Sequence, residues 1–554
     1  MAVPDDEEWP VAVEHLEIEQ KFDVTETFAL PDLTGIAGVA QVREPVEHAL
    51  EAAYYDTVDL RLARARVTLR RRTGGTDAGW HVKLPPVAGA RRELHSPAGR
   101  AARTPPKAVL EPVLGIVRRS PVTQVASLRT RRVVTELVDA GDRVLAEVAD
   151  DHVTGTALPA GPGEAAVVTA WREVEVELVD GDEELLAAVA GALTTAGARP
   201  ADAPSKLGRV LADRLAALDG PPSPGAADQL PTAEGAEPAG AAGGGKGKKR
   251  KKGRKGRGPE RGPMATAPAG EVVRATLQLQ VRGLQDADLM VRTGQDDGVH
   301  QLRVSCRRLR STLAAFRPVL DRAQTDPLRG VLAEVGSTLS ATRDAEVALA
   351  QLRARVATEP VELVLGPVAA RLQQAALQDA QAGEAHARKA LSSAAYLQLR
   401  DDLDALVAEP PLTEAAGRSA DEVVREVLAR TGRRLRRAVS AAQDSDRPEA
   451  LHDVRKAAKR VRYTAEAAVP VLGWPVAELV SALKGVQEVL GDRQDTFLTR
   501  PLCTQLGLQA FAAGENAWTW GRLHGLEQAR GEQAEREFWM RWPELRRVLR
   551  TATK

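Results

Sequence analysis

The sequence is poor in aromatics, cysteine and long apolar runs. Only 3% of its 554 residues are Phe, Trp or Tyr, so it offers few of the stacking platforms on which single-stranded nucleic acids are held. Its two cysteines, Cys306 and Cys503, supply neither a disulfide framework nor a paired metal-ligand spacing. The longest apolar stretch, Leu185 to Ala198, falls short of the ~20 residues a membrane-spanning helix needs. It follows Asp182-Glu183-Glu184, an ordinary helix start. Met1 to Pro10 is acidic and lacks the basic-then-apolar form of a signal peptide. A reducing cytoplasm is the expected compartment. Net charge is absent too, with 76 basic against 76 acidic residues. That balance excludes a polyanion partner only if the two signs are evenly mixed.

They are not. Lys246 to Arg257 holds nine basic residues and three glycines, and the rest of the chain is left with an excess of nine acidic ones. The tract lies in a Pro/Gly/Ala-rich stretch with nothing apolar to bury, expected to be a disordered linker over residues 217–267. Gly240, Gly245 and Lys246 imitate part of a phosphate-binding loop. Gly247 stands where the magnesium-binding hydroxyl belongs, and no strand precedes it.

Residues 11–180, within an expected domain over 11–216, read mainly as strands with charge at every second position. Glu17, Glu19 and Lys21 share one face, and Leu16, Ile18 and Phe22 the other. Arg70 with Arg72, His81 with Lys83, Arg129 with Arg131, Glu147 with Asp151, and Glu173 with Glu175 and Glu177 repeat the pattern. One such strand is an ordinary half-buried strand. Six, some acidic and some basic, predict an antiparallel barrel whose charged faces converge. The cost of burying charge falls if the carboxylates hold a divalent metal and the cations hold a phosphate chain.

In these motifs the chain resembles the CYTH domains, the triphosphate tunnel metalloenzymes. The resemblance rests on Glu17-x-Glu19-x-Lys21, Tyr54-Tyr55-Asp56-Thr57, Leu69–Arg72, Trp80–Pro85, Arg92-Glu93, Arg129–Arg132, Glu147–Asp151, Glu173–Leu178 and Ser205-Lys206, in that order. It implies Mg²⁺ or Mn²⁺ bound by Glu17, Glu19, Asp151, Glu173 and Glu175, with Glu147 nearby. It implies phosphates held by Lys21, Arg70, Arg72, Lys83, Arg129, Arg131 and Lys206. Glu17, Glu19 and Lys21 would be the catalytic group. The implied activity is metal-dependent hydrolysis of inorganic triphosphate. Thiamine triphosphatase activity, adenylate cyclase activity on ATP, and a tunnel that binds without turnover stay open.

Residues 268–554 carry long 3.6-residue periodicities and read as all-helical. Glu271–Arg274 recurs as Glu422–Arg425, and Leu332, Val335, Leu339 and Asp344 recur as Leu483, Val486, Leu490 and Asp495, each 151 residues later. His300, Arg303, Arg307, Arg308 and Arg310 recur as His452, Arg455, Lys459, Arg460 and Arg462, 152 later. Two related helical bundles are expected. On a helix, His300, Arg303, Arg307 and Arg310 fall in one stripe roughly 80° wide, separate from the apolar stripe of Leu302, Cys306, Leu309 and Leu313. Twice-stacked like charge is unfavourable unless an anion compensates it.

This half resembles the CHAD domains, helical modules with an H-x2-R-x3-[KR]-x2-R helix in each half followed by an acidic position. Arg343-Asp344 fits in the first half, and Gln494-Asp495 departs at the basic residue in the second, with Arg493 as a candidate substitute. The resemblance implies binding of inorganic polyphosphate by the two stripes, with Lys456 beside the second, and association with polyphosphate granules. The expected whole is multidomain: an N-terminal antiparallel tunnel barrel (α+β) and a C-terminal all-α pair of repeated bundles. Its expected partners are inorganic triphosphate and polyphosphate, with no membrane. Nucleic acid is disfavoured beyond nonspecific attraction to the basic linker. A purely polyphosphate-binding, granule-associated protein is the alternative.

Overall fold

The computed structural model describes residues 13–75, 77–86, 90–97, 104–219, 262–445, 447 and 449–553, without side chains at 13–15, 340–344, 379–382 and 384. The basic tract, the phosphate-loop imitation and the side chains of Arg343 and Asp344 therefore lie outside it. The chain divides into two compact units within the undescribed stretch 220–261.

The first unit is one antiparallel sheet. Its strands are β1 (Val13–Glu17), β2 (Glu19–Val24), β3 (Gln41–Val42), β4 (Val46–Asp56), β5 (Thr68–Thr73), β6 (Gly79–Lys83), β7 (Arg91–Pro97), β8 (Thr123–Val138), β9 (Val144–Ala157), β10 (Val167–Leu178) and β11 (Arg199–Pro200). Their order is β1-β7-β6-β5-β4-β8-β9-β10-β2-β11, with β3 beside β8. Only Ile18 separates β1 from β2, yet Glu17 pairs with Arg91 on β7 and Glu19 with Glu177 on β10. Both ends of the sheet thus meet one extended segment, and the sheet is curled. Alternation along each strand then sends one face inward and the other outward.

Short helices α1 (Arg61–Arg64), α2 (Lys107–Leu110) and α3 (Leu114–Val117) lie in the connections. Helix α4 (Glu183–Thr195) starts where the Asp182 carboxylate accepts Leu185 N–H at 2.9 Å. Its Leu185, Leu186, Val189 and Leu193 pack with Phe22, Val174 and Val176, apolar partners on the outer face of β2 and β10. Helices α5 (Lys206–Val210) and α6 (Ala212–Asp219) follow.

The second unit is helical: α7 (Ala269–Arg292), α8 (Gly298–Ala315), α9 (Arg322–Thr338), α10 (Ser340–Val356), α11 (Val368–Leu391), α12 (Ala394–Ala408), α13 (Ala420–Gln443), α14 (Ala450–Leu472), α15 (Trp474–Ala512) and α16 (Trp518–Ala552). The repeat is visible in the core. Leu332, Val335 and Leu339 are buried, and so are Leu483, Val486 and Leu490. The first copy breaks at Leu339, between α9 and α10, whereas α15 runs through the matching position as one helix.

The expected linker limits shift at both ends. Helix α6 continues to Asp219. Residues 262–267 belong to the helical unit, because Gly262 and Met264 N–H donate to Val471 and Pro470 C=O, each at 3.0 Å. Those carbonyls end α14 and lack intrahelical partners.

Candidate functional site

The inward faces of the curled sheet enclose a cavity of about 910 Å³. Glu17, Glu19, Lys21, Arg70, Arg72, Lys83, Glu175 and Lys206 line it, as the strand alternation predicts.

Glu175 on its wall belongs to a cluster of three carboxylates. Asp151, Glu173 and Glu175 are buried and place oxygens within 4.8 Å of one another. Asp151 is 0% exposed, whereas Asp150 faces away and is clamped by Arg172 at 2.9 and 2.7 Å. The Lys206 ammonium sits among the three, 2.9 Å from Asp151, 2.6 Å from Glu173 and 2.7 Å from Glu175. Local sequence puts it there. Ser205 caps α5 by accepting Gly208 N–H at 3.0 Å. Leu207 and Val210 then pack with Tyr54, Leu128 and Val153, plugging that end of the sheet. Gly155 is needed beneath them, since a Cβ there would lie 2.3 Å from a Val210 methyl carbon.

Lys21 joins the cluster to β2, contacting Glu175 and lying 2.7 Å from Glu19. Burial alone would push Glu175 up, but Lys206, Lys21 and Arg132 hold it well below the ordinary carboxylate range. Burial would likewise lower Lys206, and Glu175, Asp151 and Glu173 more than reverse it.

A second cluster lies on β1, β6 and β7. Lys83 donates to both Glu17 oxygens at 2.8 and 2.6 Å and lies 3.1 Å from Glu93. His81 Nδ1 is 2.6 Å from Glu93, and Arg70 3.5 Å. Burial and its hydrogen-bonded neighbour Glu93 push Glu17 up to about 8, against the pull of Lys83. Burial raises Glu93 too, but His81, Arg70 and Lys83 outweigh it. The two adjacent carboxyls are thus driven apart, Glu17 up and Glu93 down, which favours Glu17 as the holder of a shared proton. Arg72 pairs with Asp77 at 2.5 Å. Arg70 Nε is buried with no hydrogen-bond partner, a donor aimed into the cavity for an absent acceptor.

Two residues expected inside are outside. Arg129 is 83% and Arg131 50% exposed, and they pair with Glu51 at 3.3 Å and Glu47 at 3.2 Å on the solvent face of β4. The inward residues of β8 are Leu128, Thr130, Arg132, Val134 and Glu136. Arg132 grips Asp151 with two bonds, 2.8 and 2.6 Å, and reaches Glu175 at 2.5 Å. Sequence reasoning placed His81 on an inward face beside Lys83 but missed Glu93, Arg43 and Glu136 as cavity residues. For Glu93 a signal existed, the motif it shares with Arg92.

In the helical unit the stripes on α8 and α14 face each other's neighbourhood. Their apolar stripes, including Leu302, Cys306 and Leu309 and Val454, Ala458 and Val461, are buried as the periodicity requires. Arg308 and Arg462 share Glu466, at 3.6 and 3.3 Å, and flank the ring of Tyr463. Lys456 is directed to Asp453 at 3.6 Å. Among the described residues no carboxylate comes within ion-pair distance of Arg307, Arg310, Lys459 or Arg460. Burial, then Arg307, Arg455, Arg462 and Arg303, push the Lys459 amine down to about 6. His452 Nδ1 lies 2.5 Å from Gln494. Arg493 instead pairs with Glu535 at 3.0 Å, so it does not replace a basic residue at position 494. His300 and Arg303 lie half-buried on α8.

An anionic cage with cations, in a curled antiparallel sheet, joined to a duplicated helical unit with two basic stripes, defines a class. Residues 15–199 match the CYTH domain family and residues 275–504 the CHAD domain family. An uncharacterized protein of Mycobacterium tuberculosis (strain ATCC 25618 / H37Rv) is 36% identical over 566 residues, spanning 98% of this chain and 99% of the relative. The same figures hold for its counterpart in strain CDC 1551 / Oshkosh. The chain belongs to the family of two-domain CYTH–CHAD proteins. Among solved structures, PptA from Streptomyces chartreusis is 23% identical, covering 50% of this chain and all of its own, with a TM-score of 0.42. The CHAD domain from Ricinus communis is 25% identical, covering 54% and 97%, with a TM-score of 0.37. Among the described residues no helix is long and apolar enough to cross a membrane.

Proposed function

We propose that the N-terminal unit hydrolyses inorganic triphosphate with Mg²⁺ or Mn²⁺, and that the C-terminal unit binds inorganic polyphosphate. The observation that carries the first part is a buried carboxylate triad whose Glu175 lines the same cavity as the cations Lys21, Arg70, Arg72, Lys83, Arg132 and Lys206. An all-oxygen donor set suits a hard divalent ion. Asp151, Glu173 and Glu175 would hold it, with Glu19 adjacent through Lys21. When bound, the ion neutralises phosphate oxygens. Lys206 and Arg132, which pair with the triad, would be free to turn toward the phosphate chain once an ion took over that role. Arg70, Arg72, Lys83 and Lys21 bind and orient that chain from the opposite strands. Glu17, the favoured holder of a proton shared with Glu93, sits where one can be moved. Water adds to the terminal phosphorus as the bridging P–O bond breaks.

For the second part, the cations Arg307, Arg310, Lys459 and Arg460, which have no carboxylate within ion-pair distance among the described residues, support the reading. A linear phosphate chain needs charge and no base stacking, and Tyr463, the aromatic beside the stripes, is buried beneath arginines. Association with polyphosphate granules would follow.

The test is phosphate release by purified protein from inorganic triphosphate, long-chain polyphosphate, thiamine triphosphate and ATP, each with Mg²⁺, Mn²⁺ or EDTA. Metal-dependent release, fastest from triphosphate and lost in Glu17→Ala/Glu19→Ala, is expected. No turnover of any substrate would leave a binding protein.

A further inference from the structure

Helix α13 changes character along its length. In its first turns each described arginine is matched. Arg425 pairs with Asp421 at 2.9 Å, and Arg418, just before the helix, pairs with Glu426 at 2.7 Å. From Val427 to Gln443 there is no acidic residue, yet five arginines occupy positions 430, 433, 434, 436 and 437. Four of them, Arg430, Arg433, Arg434 and Arg437, fall in one stripe roughly 100° wide and about 10 Å long. Val427, Leu428, Thr431, Leu435 and Val439 are buried on the other side. Arg433, Arg434 and Arg437 are exposed, and among the described residues none of the three makes an ion pair.

The stripe is not a property of the repeat. The positions 151 residues earlier are Leu279, Arg282, Gly283 and Asp286, so only Arg433 has a basic counterpart, and that one faces an acid of its own turn. The basic surface is therefore asymmetric between two otherwise matching halves.

It is also continuous with the repeated stripes. Arg310 lies beside Arg460 and Arg329, and Arg329 donates to the Arg310 carbonyl at 3.3 Å. Asp326 bridges Arg329 and Arg317, at 2.7 Å to each. Arg317 neighbours Arg430, which donates to the Ala315 carbonyl, and Arg430 in turn neighbours Arg433 and Arg434. Like charges so arranged repel one another. Two carboxylates, Asp326 and Glu426, face that path, and Glu426 is itself paired with Arg418.

We propose that Arg430, Arg433, Arg434 and Arg437 form a second subsite, which takes the continuing part of a linear phosphate polymer already seated on Arg307, Arg310, Lys459 and Arg460. This rests on the polyphosphate reading of the helical unit. Long chains span both subsites and short ones only the first, so the helical unit selects by chain length, as two linked sites do. A structured RNA is the competing occupant. The absence of any exposed aromatic on α13 favours the base-free polymer.

The full chain, its Arg433→Glu/Arg434→Glu variant and its Arg307→Glu/Lys459→Glu variant would be titrated with long-chain polyphosphate, inorganic triphosphate and a structured RNA at several salt concentrations. Circular dichroism, with Arg433→Gln/Arg434→Gln as a milder pair, checks that the helices persist. The α13 variant should lose about tenfold in long-chain affinity and show a shallower salt slope. Its triphosphate affinity should not change. Unchanged long-chain affinity in that variant, with loss in the other, would place the polymer on the repeated stripes alone and overturn the subsite. An RNA bound more tightly than polyphosphate would overturn it as well. A full chain that binds no polyphosphate defeats the underlying reading.

Discussion

Arg131 and Arg132 are neighbours in sequence and lie on opposite faces of β8. Arg131 is half exposed beside Glu47, and Arg132 is half-buried against Asp151 and Glu175. Arg132→Ala should therefore lower kcat/KM for triphosphate by about a hundredfold or more, in the range seen when a charge-stabilising donor is lost. It should also cost about 3 kcal/mol of stability, because two buried carboxylates lose a partner. Arg131→Ala should change kcat/KM less than about twofold, as surface pairs do. Steady-state kinetics and denaturant unfolding of the two variants check this.

The same pair shows what the sequence could and could not reveal. Strand alternation placed Glu17, Glu19, Lys21, Arg70, Arg72, Lys83, Glu173 and Glu175 on inward faces, because each strand carries its charges on one parity. In Arg129-Thr130-Arg131-Arg132 both parities carry arginine, and the face with two was the wrong one. Only the register opposite β9, Arg132 against Asp151, decides it. Side-chain partition within the cavity was also illegible. Glu17 and Glu19 are two residues apart, yet one serves Lys83 and Glu93 on β7's side and the other Lys21 and Glu175 on β10's, because the sheet's two ends meet between them. In the helical half, periodicity found the stripes but not that Glu466 neutralises part of them. Nor did it find the α13 stripe, which has no repeat partner to draw attention to it.

Lys206 occupies the position a divalent cation would take within the triad. Lys206→Met should tighten Mn²⁺ binding several-fold in the absence of substrate, read by isothermal titration calorimetry, while lowering triphosphate turnover. Asp151→Asn/Glu173→Gln should abolish that binding. Mn²⁺ affinity that falls in Lys206→Met would show that ammonium and metal do not compete.

Burial first, then the charges of Arg307, Arg455, Arg462 and Arg303, push the Lys459 amine down to about 6, so it should be largely neutral at pH 7 in the free protein. A bound polyanion raises its pKa, so binding takes up a proton. By linkage, affinity for polyphosphate should fall as pH rises above about 6, by up to tenfold per unit from this group. Lys459→Arg, charged throughout, should flatten the profile. The folding contribution has the opposite sign: with the folded value below the ordinary one of 10.5, stability rises with pH between about 6 and 10.

Gly491 lies inside α15, where a Cβ would come 3.2 Å from an Arg455 guanidinium nitrogen. Gly491→Ala should stabilise the helix by up to about 1 kcal/mol while shifting Arg455 and weakening polyphosphate binding a few-fold. Thermal unfolding and binding titration should thus move in opposite directions. A parallel loss in both would mean that Arg455 cannot yield.

The sharing of Val13–Val24 by the two ends of the sheet sets an order of assembly. β1 must find β7, some eighty residues on, and β2 must find β10, about one hundred and fifty residues on, before the tunnel is complete. Such distant pairings carry the largest loop-closure cost and form slowly. The segment that leaves the ribosome ahead of every other strand is the last to gain its full set of neighbours. Since it carries Glu17, Glu19 and Lys21, a chain with the rest of the sheet in place would still lack these site residues. Completion of the sheet and placement of Glu17, Glu19 and Lys21 on its inner face should therefore coincide.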